Sequence, residues 1–385
     1  MAWRILVLLL FVAQSACAQS FFSKLISRLD SIRQERLRAN RPLLFPFIAP
    51  SYAPETSFAG SLGGFYSFSL RRDDPQTLRS NLPFSLSYSL NNSLIANLRN
   101  ELFGPGDRWR LDGEFWLRDM PYHFYGVGYR EAKDIERSAT TTLYERFYWQ
   151  VLQRFFFRLG QNWYLGPAIH FNETNASDLA VQMRDHPIIQ AQGVEHLNMG
   201  IGFSARFDTR DMPLNAYSGT LIAFTLFSFL DEIGSDNEYT SLELDYRSFR
   251  SLWREGSTLA WQVRSRMVVG QPPWPEYSQL GSPFDLRGYY WGRFRDRVMV
   301  YGMLEYRYMF ERRRPNAEGS MLSSHGFATW VALGTIAPNW ASLRYYLPNV
   351  GIGYRLQVAP RTNIRLDLGV GVDEVSIYLN FAEAF

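Results

Sequence analysis

The residue types that most often perform chemistry are sparse and scattered along this chain. The five histidines show no metal-ligand spacing; they are His123, His170, His186, His196 and His325. Two pairs of carboxylates lie close in sequence, Asp208 with Asp211 and Glu243 with Asp245. An acid–base pair needs a closed, desolvated pocket that separates the two pKa values. The sequence also has no glycine-rich phosphate-binding loop after a predicted strand. We therefore expect no enzymatic activity, no bound metal and no cofactor.

A different chemistry, charge-assisted recognition, is concentrated in one segment. Residues 284–297 read FDLRGYYWGRFRDR, which combines glycine with dense arginine and aromatic residues. Guanidinium groups make strong, often bidentate hydrogen bonds to carboxylates. The segment is therefore either a solvated loop tip or a loop that folds against acidic side chains.

Composition excludes several classes of protein. The chain has 385 residues, 46% of them hydrophobic, and a net charge of +3. This apolar content is too high for a disordered chain, and the balanced charge argues against a nucleic-acid partner. A single cysteine permits no disulfide framework. Aromatic residues make up 16% of the chain although its mean hydropathy is −0.22, so the rings are interspersed with polar residues.

The first eighteen residues predict an export signal. Arg4 precedes an apolar run over 5–13, and the small residues around Cys17 predict cleavage after Ala18. Two alternatives are a membrane anchor and a lipoprotein acylated at Cys17. The run is too short to cross a hydrocarbon core of about 30 Å as a helix, and the residues around Cys17 fit a lipoprotein signal poorly. We expect an exported protein.

Beyond the signal, the hydrophobic pattern indicates β-strands. No stretch of 18 or more apolar residues occurs, which excludes a helical membrane protein. Apolar and polar residues alternate, as over 242–247 and 304–308, which gives each strand one apolar and one polar face. A soluble β protein and an outer-membrane barrel both show this pattern. Segments of ten or more residues, with aromatic clusters at their ends, favour the barrel.

The alternation predicts a sixteen-stranded antiparallel transmembrane β-barrel. The predicted strands are 44–53, 58–70, 81–90, 94–103, 108–118, 142–159, 162–174, 196–208, 217–229, 238–252, 257–270, 297–310, 327–336, 349–358, 362–371 and 375–385. An even number places both ends on the periplasmic side. Long outer loops are then expected at 119–141, 175–195, 271–296 and 337–348. The inner turns are mostly short, with 311–326 as an exception.

Residues 19–43 form a separate segment between the signal (1–18) and the barrel (44–385). Its apolar residues recur at spacings of three and four, which predicts a short amphipathic helix. Two interpretations remain open. The helix either packs on the barrel as a leader, or plugs the lumen or touches the membrane surface.

Several motifs resemble the BamA-type superfamily of outer-membrane assembly and translocation barrels, also called the bacterial surface antigen family. The motif on the sixth outer loop is Leu286, Arg287, Gly288 and Tyr289. The strand-and-turn motif before the ninth strand is Asp208, Arg210 and Asp211, followed by Pro213 and Gly219. The chain ends on Phe385, which is similar to the aromatic signal at the end of outer-membrane strands. The resemblance spans 44–385 and is strongest from 203 onward.

The resemblance implies that the sixth loop folds into the barrel, with Arg287 paired to acids on the wall. Glu305 matches the family acid on the twelfth strand. The second family acid falls at Ala332, a departure that weakens the expected anchor. Asp367, predicted to face inward, is our hypothesis for a substitute.

The resemblance also implies an outer-membrane location and a role in protein assembly or translocation. The leader is too short to form a periplasmic POTRA domain, so we expect a barrel-only member that depends on a partner for client capture. Pro46 and Pro50 indicate either a weak first strand or an imprecise strand boundary. Expected partners are outer-membrane lipid and either client outer-membrane proteins or an accessory periplasmic or lipoprotein partner. The alternatives are a passive channel and a structural subunit of an envelope complex.

Overall fold

The computed structural model describes residues 39–71, 73–74, 77–213, 215–313, 321–359, 361–372 and 374–385. The predicted signal with its cleavage site, and the predicted leader helix up to residue 38, lie outside this part of the chain. Within it, no helix combines the length and the apolar character needed to cross a membrane.

The described residues form sixteen long strands, as the alternation predicts. In chain order they are β1 (Leu43–Ala53), β2 (Ser57–Phe68), β3 (Ser80–Ser89), β4 (Leu94–Phe103), β5 (Trp109–His123), β6 (Leu143–Arg158), β7 (Trp163–Ser177), β8 (Glu195–Asp208), β9 (Gly219–Phe229), β10 (Tyr239–Ser251), β11 (Ser257–Gly270), β12 (Val298–Glu311), β13 (Leu322–Ala337), β14 (Tyr346–Ala359), β15 (Thr362–Val370) and β16 (Val375–Phe381). Each pairs antiparallel with its sequence neighbours, and β1 meets β16 to close the barrel.

The junction of β1 with β16 is the weakest part of this closed sheet. β1 pairs with β2 along its whole length, from Leu43 opposite Ser67 to Ala53 opposite Ser57. Against β16, the described residues show a single register pair, Tyr52 opposite Leu379. We call this junction the seam.

Side chains alternate between a charged interior and an apolar exterior. On β15, Leu366 and Leu368 are exposed outward, whereas Arg365 and Asp367 are completely buried inward. This reverses the arrangement of a soluble β-sandwich, whose apolar faces meet in the core. It is the pattern of a barrel whose outer surface contacts lipid, so the predicted fold class is confirmed.

Short helices occur in the outer loops. They are α1 (Tyr129–Asp134), α2 (Val181–Arg184) and α3 (Pro187–Gln192), with single 3₁₀ turns at Asp231–Ile233, Trp274–Glu276 and Trp340–Ser342; a further 3₁₀ turn, Pro105–Asp107, lies in the inner β4–β5 turn. The longest loop, residues 271–297 between β11 and β12, is called loop 6 below. A small ribbon within it pairs Ser278–Leu280 with Phe294–Asp296.

The strand boundaries depart from the prediction mainly at the loop ends. β5 continues to His123, and β13 begins at Leu322. A further correction concerns the last strand, which was expected to reach Phe385 but ends at Phe381. Ala382 takes a positive φ of 68°, and this turn directs the last residues into the lumen.

Candidate functional site

Loop 6 folds into the barrel and fills the lumen beside β12–β16. Its side chains Leu286, Tyr289 and Phe294 are almost completely buried, in one cluster with Trp330 of β13. Gly288 lies at the closest approach to the wall, with a φ of 138° and an ideal Cβ position only 2.8 Å from Asn349 Nδ2. A side chain at residue 288 would therefore be strained by both backbone and contact.

Arg287 is the central residue of the site. Its guanidinium is fully buried; Nη1 donates to Asp367 Oδ2 at 2.8 Å, and Nη2 donates to Glu305 Oε2. The guanidinium carbon lies 3.5 Å from the ring centre of Trp330, which adds a cation–π contact. A buried charge is tolerated only where such partners surround it. The structure thus brings the three predicted residues Arg287, Glu305 and Asp367 together.

Three further arginines share these acids. Arg355 donates to Asp367 at 2.6 Å and to Glu383 at 2.9 Å, and Arg365 donates to Asp367 at 2.5 Å. Arg307 donates to Glu305 at 2.7 Å. Among the described residues, four guanidiniums therefore meet three side-chain carboxylates, and each carboxylate contacts more than one guanidinium. We call these seven residues the lumenal charge cluster.

Neutral side chains fix the main chain of loop 6 beside this cluster. Asn349 on β14 donates through Nδ2 to the carbonyl of Arg287, and its Oδ1 accepts from Trp330 Nε1 at 2.8 Å. The hydroxyl of Tyr289 donates to the carbonyl of Pro348 at 2.7 Å. An ideal Cβ on Gly369 would overlap the Arg287 carbonyl, so only glycine at residue 369 lets the loop lie this close to β15.

The C-terminal residues belong to the same site, which corrects the prediction that Phe385 ends the last strand. Phe385 is buried in the lumen, with its ring centre 6.0 Å from that of Phe249 and 5.0 Å from the guanidinium of Arg307. Its carbonyl accepts from Arg307 Nη2 at 3.0 Å. Glu383 supplies the third carboxylate of the lumenal charge cluster, which explains why the tail turns inward rather than continuing the strand.

The strand-and-turn motif lies elsewhere, at the inner end of β8. Arg210 binds both carboxylate oxygens of Asp208, at 2.9 and 2.8 Å, and also donates to the carbonyl of Pro213 at 3.2 Å. Gly219 begins β9 with a φ of 103°, where an ideal Cβ would overlap the Thr209 carbonyl. The motif shapes the β8–β9 turn (209–218) and does not touch Arg287.

Asp211 connects this turn to the opposite side of the inner mouth. Its Oδ2 accepts from Arg361 Nη1, in the β14–β15 turn, at 2.7 Å. The Arg361 guanidinium also lies 3.7 Å from the ring centre of Tyr217. Ala216, next to Tyr217, is buried in the cluster that contains Phe385, so the β8–β9 turn packs beneath the filled lumen.

The other carboxylates considered for acid–base chemistry are also held by arginine. Glu243 pairs with Arg264 at 2.7 Å, and Asp245 pairs with Arg247 at 2.5 Å. These ion pairs hold the charged side chains in place on the lumen wall.

The residues around the anchor that sequence reasoning missed include Trp330, Asn349, Arg355 and Arg365. Their inward direction follows from the strand alternation. Their convergence on one loop residue does not, because alternation gives the face of a strand and not the partner across the lumen.

Comparisons with known proteins agree with the barrel fold. Residues 66–378 match the Omp85 superfamily domain. The fold is similar to that of BamA from Haemophilus ducreyi lacking POTRA domains 1–3, with a TM-score of 0.59 and 12% identity over 89% of this chain and 70% of that one. It is also similar to CdiB from Escherichia coli, with a TM-score of 0.53 and 10% identity over 86% of this chain and 61% of that one.

A comparison with curated proteins finds no match. The superfamily domain covers most of the sequence and includes Arg287, Glu305 and Asp367. At 10–12% identity, the two solved structures independently support the barrel fold alone. The chain belongs to the Omp85 superfamily.

Proposed function

We propose that this chain is the membrane-embedded barrel of an outer-membrane protein assembly or translocation system, acting with a partner that captures client proteins. The barrel fold of the Omp85 superfamily points to the bacterial outer membrane. The proposal includes export through a signal peptide cleaved after Ala18, and it requires neither a cofactor nor an enzymatic step.

The observation that carries the proposal is the seam. Tyr52 and Leu379 are the single register pair between β1 and β16 in the described residues, whereas neighbouring strands elsewhere pair over many residues. Unpaired main-chain groups at a strand edge are a template for an added strand. A barrel that opens here offers such an edge to a client chain within the membrane.

The likeness to BamA and CdiB supports the same function. BamA and CdiB share this fold, and the resemblance found in the sequence is to assembly and translocation barrels. The chain spans less than two thirds of the CdiB chain, and client capture by a partner is part of the proposal.

A second candidate, a structural subunit without insertase activity, is favoured by the filled lumen. Loop 6, the tail around Phe385 and the β8–β9 turn all pack inside the barrel. A subunit whose contribution is a rigid, closed barrel needs no opening at the seam.

A disulfide across the seam separates the two candidates. Tyr52→Cys with Leu379→Cys joins outward residues of β1 and β16, and Leu244→Cys with Ser265→Cys is the matched pair within β10 and β11. Each double-cysteine variant replaces the wild-type protein in cells, and the outer-membrane proteins are then quantified by proteomics. For an assembly barrel, oxidation of the seam pair depletes many outer-membrane proteins, reductant restores them, and the control pair has no effect.

Unchanged outer-membrane proteins with a fully oxidised seam would overturn the assembly function and favour the structural subunit. Affinity purification of the wild-type barrel from membranes, with mass spectrometry, then tests for the partner that captures clients.

A further inference from the structure

Loop 6 also reaches the outer end of the seam. Just beyond the Arg287 anchor, two consecutive main-chain amides bind acids on different turns. The amide of Tyr290 donates to Glu374 Oε2 at 2.6 Å, and the amide of Trp291 donates to Glu55 Oε1 at 2.8 Å. Glu55 lies in the β1–β2 turn, and Glu374 immediately precedes β16. One short segment of loop 6 therefore contacts both sides of the seam.

Further bonds hold each acid in place. Glu55 is 2% exposed, and its carbonyl accepts from Asn91 Nδ2 of the neighbouring outer turn at 2.8 Å. Glu374 also pairs with Arg293 of loop 6. Main-chain amides that donate to ionised carboxylates form strong hydrogen bonds, and a buried, low-dielectric environment also strengthens a hydrogen bond to a neutral carboxyl group. Several hydrogen bonds and an ion pair therefore join loop 6 to these two acids, and the connection is largely buried.

A third contact ties β16 itself to the loop. The hydroxyl of Tyr378, which is completely buried, donates to the carbonyl of Tyr289 at 3.3 Å. Loop 6 thus holds β16 from inside through Tyr378 and from its outer end through Glu374. Within the described part of the chain, the sheet itself contributes the single pair of Tyr52 with Leu379.

We propose that residues 289–293 of loop 6 form a clasp that closes the outer end of the seam, with Glu55 and Glu374 as its two attachment points. Removing the attachments frees the outer ends of β1 and β16 to separate. The clasp is a property of this barrel whatever passes through the seam, and it goes beyond the proposed function.

The test measures seam closure directly in the full-length protein. Tyr52→Cys with Leu379→Cys is combined with Glu55→Ala and Glu374→Ala, and disulfide formation under limiting oxidant is followed in native membranes. We expect the rate to fall at least fivefold, because the two cysteines spend less time in register. Glu55→Gln keeps an oxygen acceptor for the Trp291 amide and should preserve the rate.

Two controls separate loss of the clasp from misfolding. Glu232→Ala changes an exposed acid of the outer β9–β10 loop and should leave the rate unchanged. The Leu244→Cys with Ser265→Cys pair should oxidise normally in every variant, and heat-modifiable migration on gels reports a folded barrel. If the double alanine variant does not fold, Glu55→Ala alone is measured by the same criterion. A folded variant that closes the seam at the wild-type rate overturns the clasp.

Discussion

Arg287 is the residue whose replacement should affect the position of loop 6 most. Arg287→Ala removes one cationic partner from Glu305 and one from Asp367, and it leaves a cavity where the guanidinium lay. Removing one partner of a buried ion pair costs about 3–5 kcal/mol. We therefore expect a loss of that size in the free energy of unfolding, measured by urea titration of the barrel in lipid vesicles with tryptophan fluorescence.

A second lumenal arginine provides the control for that experiment. Arg99 pairs with Glu114 at 3.8 Å and its side chain is 53% exposed. Exposed ion pairs contribute at most about 1 kcal/mol, so Arg99→Ala should change the free energy of unfolding little. Equal losses for Arg287→Ala and Arg99→Ala would contradict an energetic anchor at Arg287.

Glu55 gives the clasp a pH dependence. Burial raises the pKa of Glu55 from its ordinary 4.5 to about 7, and the nearby Glu374 adds to the rise, while the Trp291 amide and Arg137 oppose it. The phenols of Tyr290 and Tyr378 also face this carboxyl. Between pH 4.5 and 7, Glu55 is therefore protonated when loop 6 is docked against it. When the clasp is released, the same carboxyl group is ionised in this pH range.

Docking of the clasp is then most favourable below pH 4.5 and weakens as the pH rises through 7. Each unit of pKa difference corresponds to about 1.4 kcal/mol. Hydrogen exchange over residues 289–293, corrected for the intrinsic rate, should show protection that falls at least about tenfold between pH 5 and pH 8. Glu55→Gln has no such proton, so an identical pH slope in this variant would contradict the assignment.

At the residue scale, the sequence predicts which way a side chain points better than it predicts which residues that side chain contacts. Arg287, Glu305 and Asp367 were predicted from a motif and from strand parity, and the structure places them within bonding distance. Asn349 and Trp330 had no comparable signal, because a lone inward polar or aromatic residue is common on any barrel wall. Their roles depend on how deep loop 6 reaches, which only the folded chain determines.

At the element scale, the tail after β16 acts as part of the lumen packing. Phe385 is 6% exposed and packs with Phe249 and Arg307. Truncation of a buried phenylalanine costs about 3–5 kcal/mol through lost transfer energy and the cavity left behind. Phe385→Ala should lower the free energy of unfolding by that amount, whereas Phe310→Ala, at a 43% exposed position of β12, should have a smaller effect.

That comparison also decides where the tail lies. If Phe385 were instead the lipid-facing end of an eleven-residue last strand, Phe385→Ala and Phe310→Ala would have similar effects on unfolding. The sequence predicted the longer strand because an aromatic end is typical of outer-membrane strands. It gave no sign that Glu383 would be drawn inward by Arg355 and Arg307, since those arginines lie on strands distant in sequence.

The sixteen strands themselves could be predicted because their pattern is local. Alternation repeats every two residues whatever the neighbours do, and most boundaries fall within a few residues of those observed. The ends of β5 and β13 extend further than expected, because pairing continues into the loops, where the lipid-facing pattern no longer applies. The outer loops follow no such period, so their helices and the ribbon in loop 6 had no sequence signal of comparable strength.

At the scale of the whole molecule, the lumen is filled from both ends. Loop 6 enters from the outer side and is anchored at Arg287. From the inner side, the β8–β9 turn packs its buried residues Ala216 and Tyr217 beneath the lumen and is tied across the mouth by Asp211 and Arg361. The two obstructions are held by different residues, so opening one leaves the other in place.

Planar-bilayer conductance should therefore respond cooperatively to two changes. Deleting residues 271–296 removes the outer obstruction, and Asp211→Ala with Arg361→Ala releases the inner one. We expect each change alone to give a small conductance, and their combination to exceed the sum of the two, because the β8–β9 turn still narrows the lumen after loop 6 is removed. Arg184→Ala, which breaks an exposed ion pair with Asp185 on an outer loop, serves as the control. If the loop deletion alone gave the same conductance as the combination, the inner turn would not obstruct the pore.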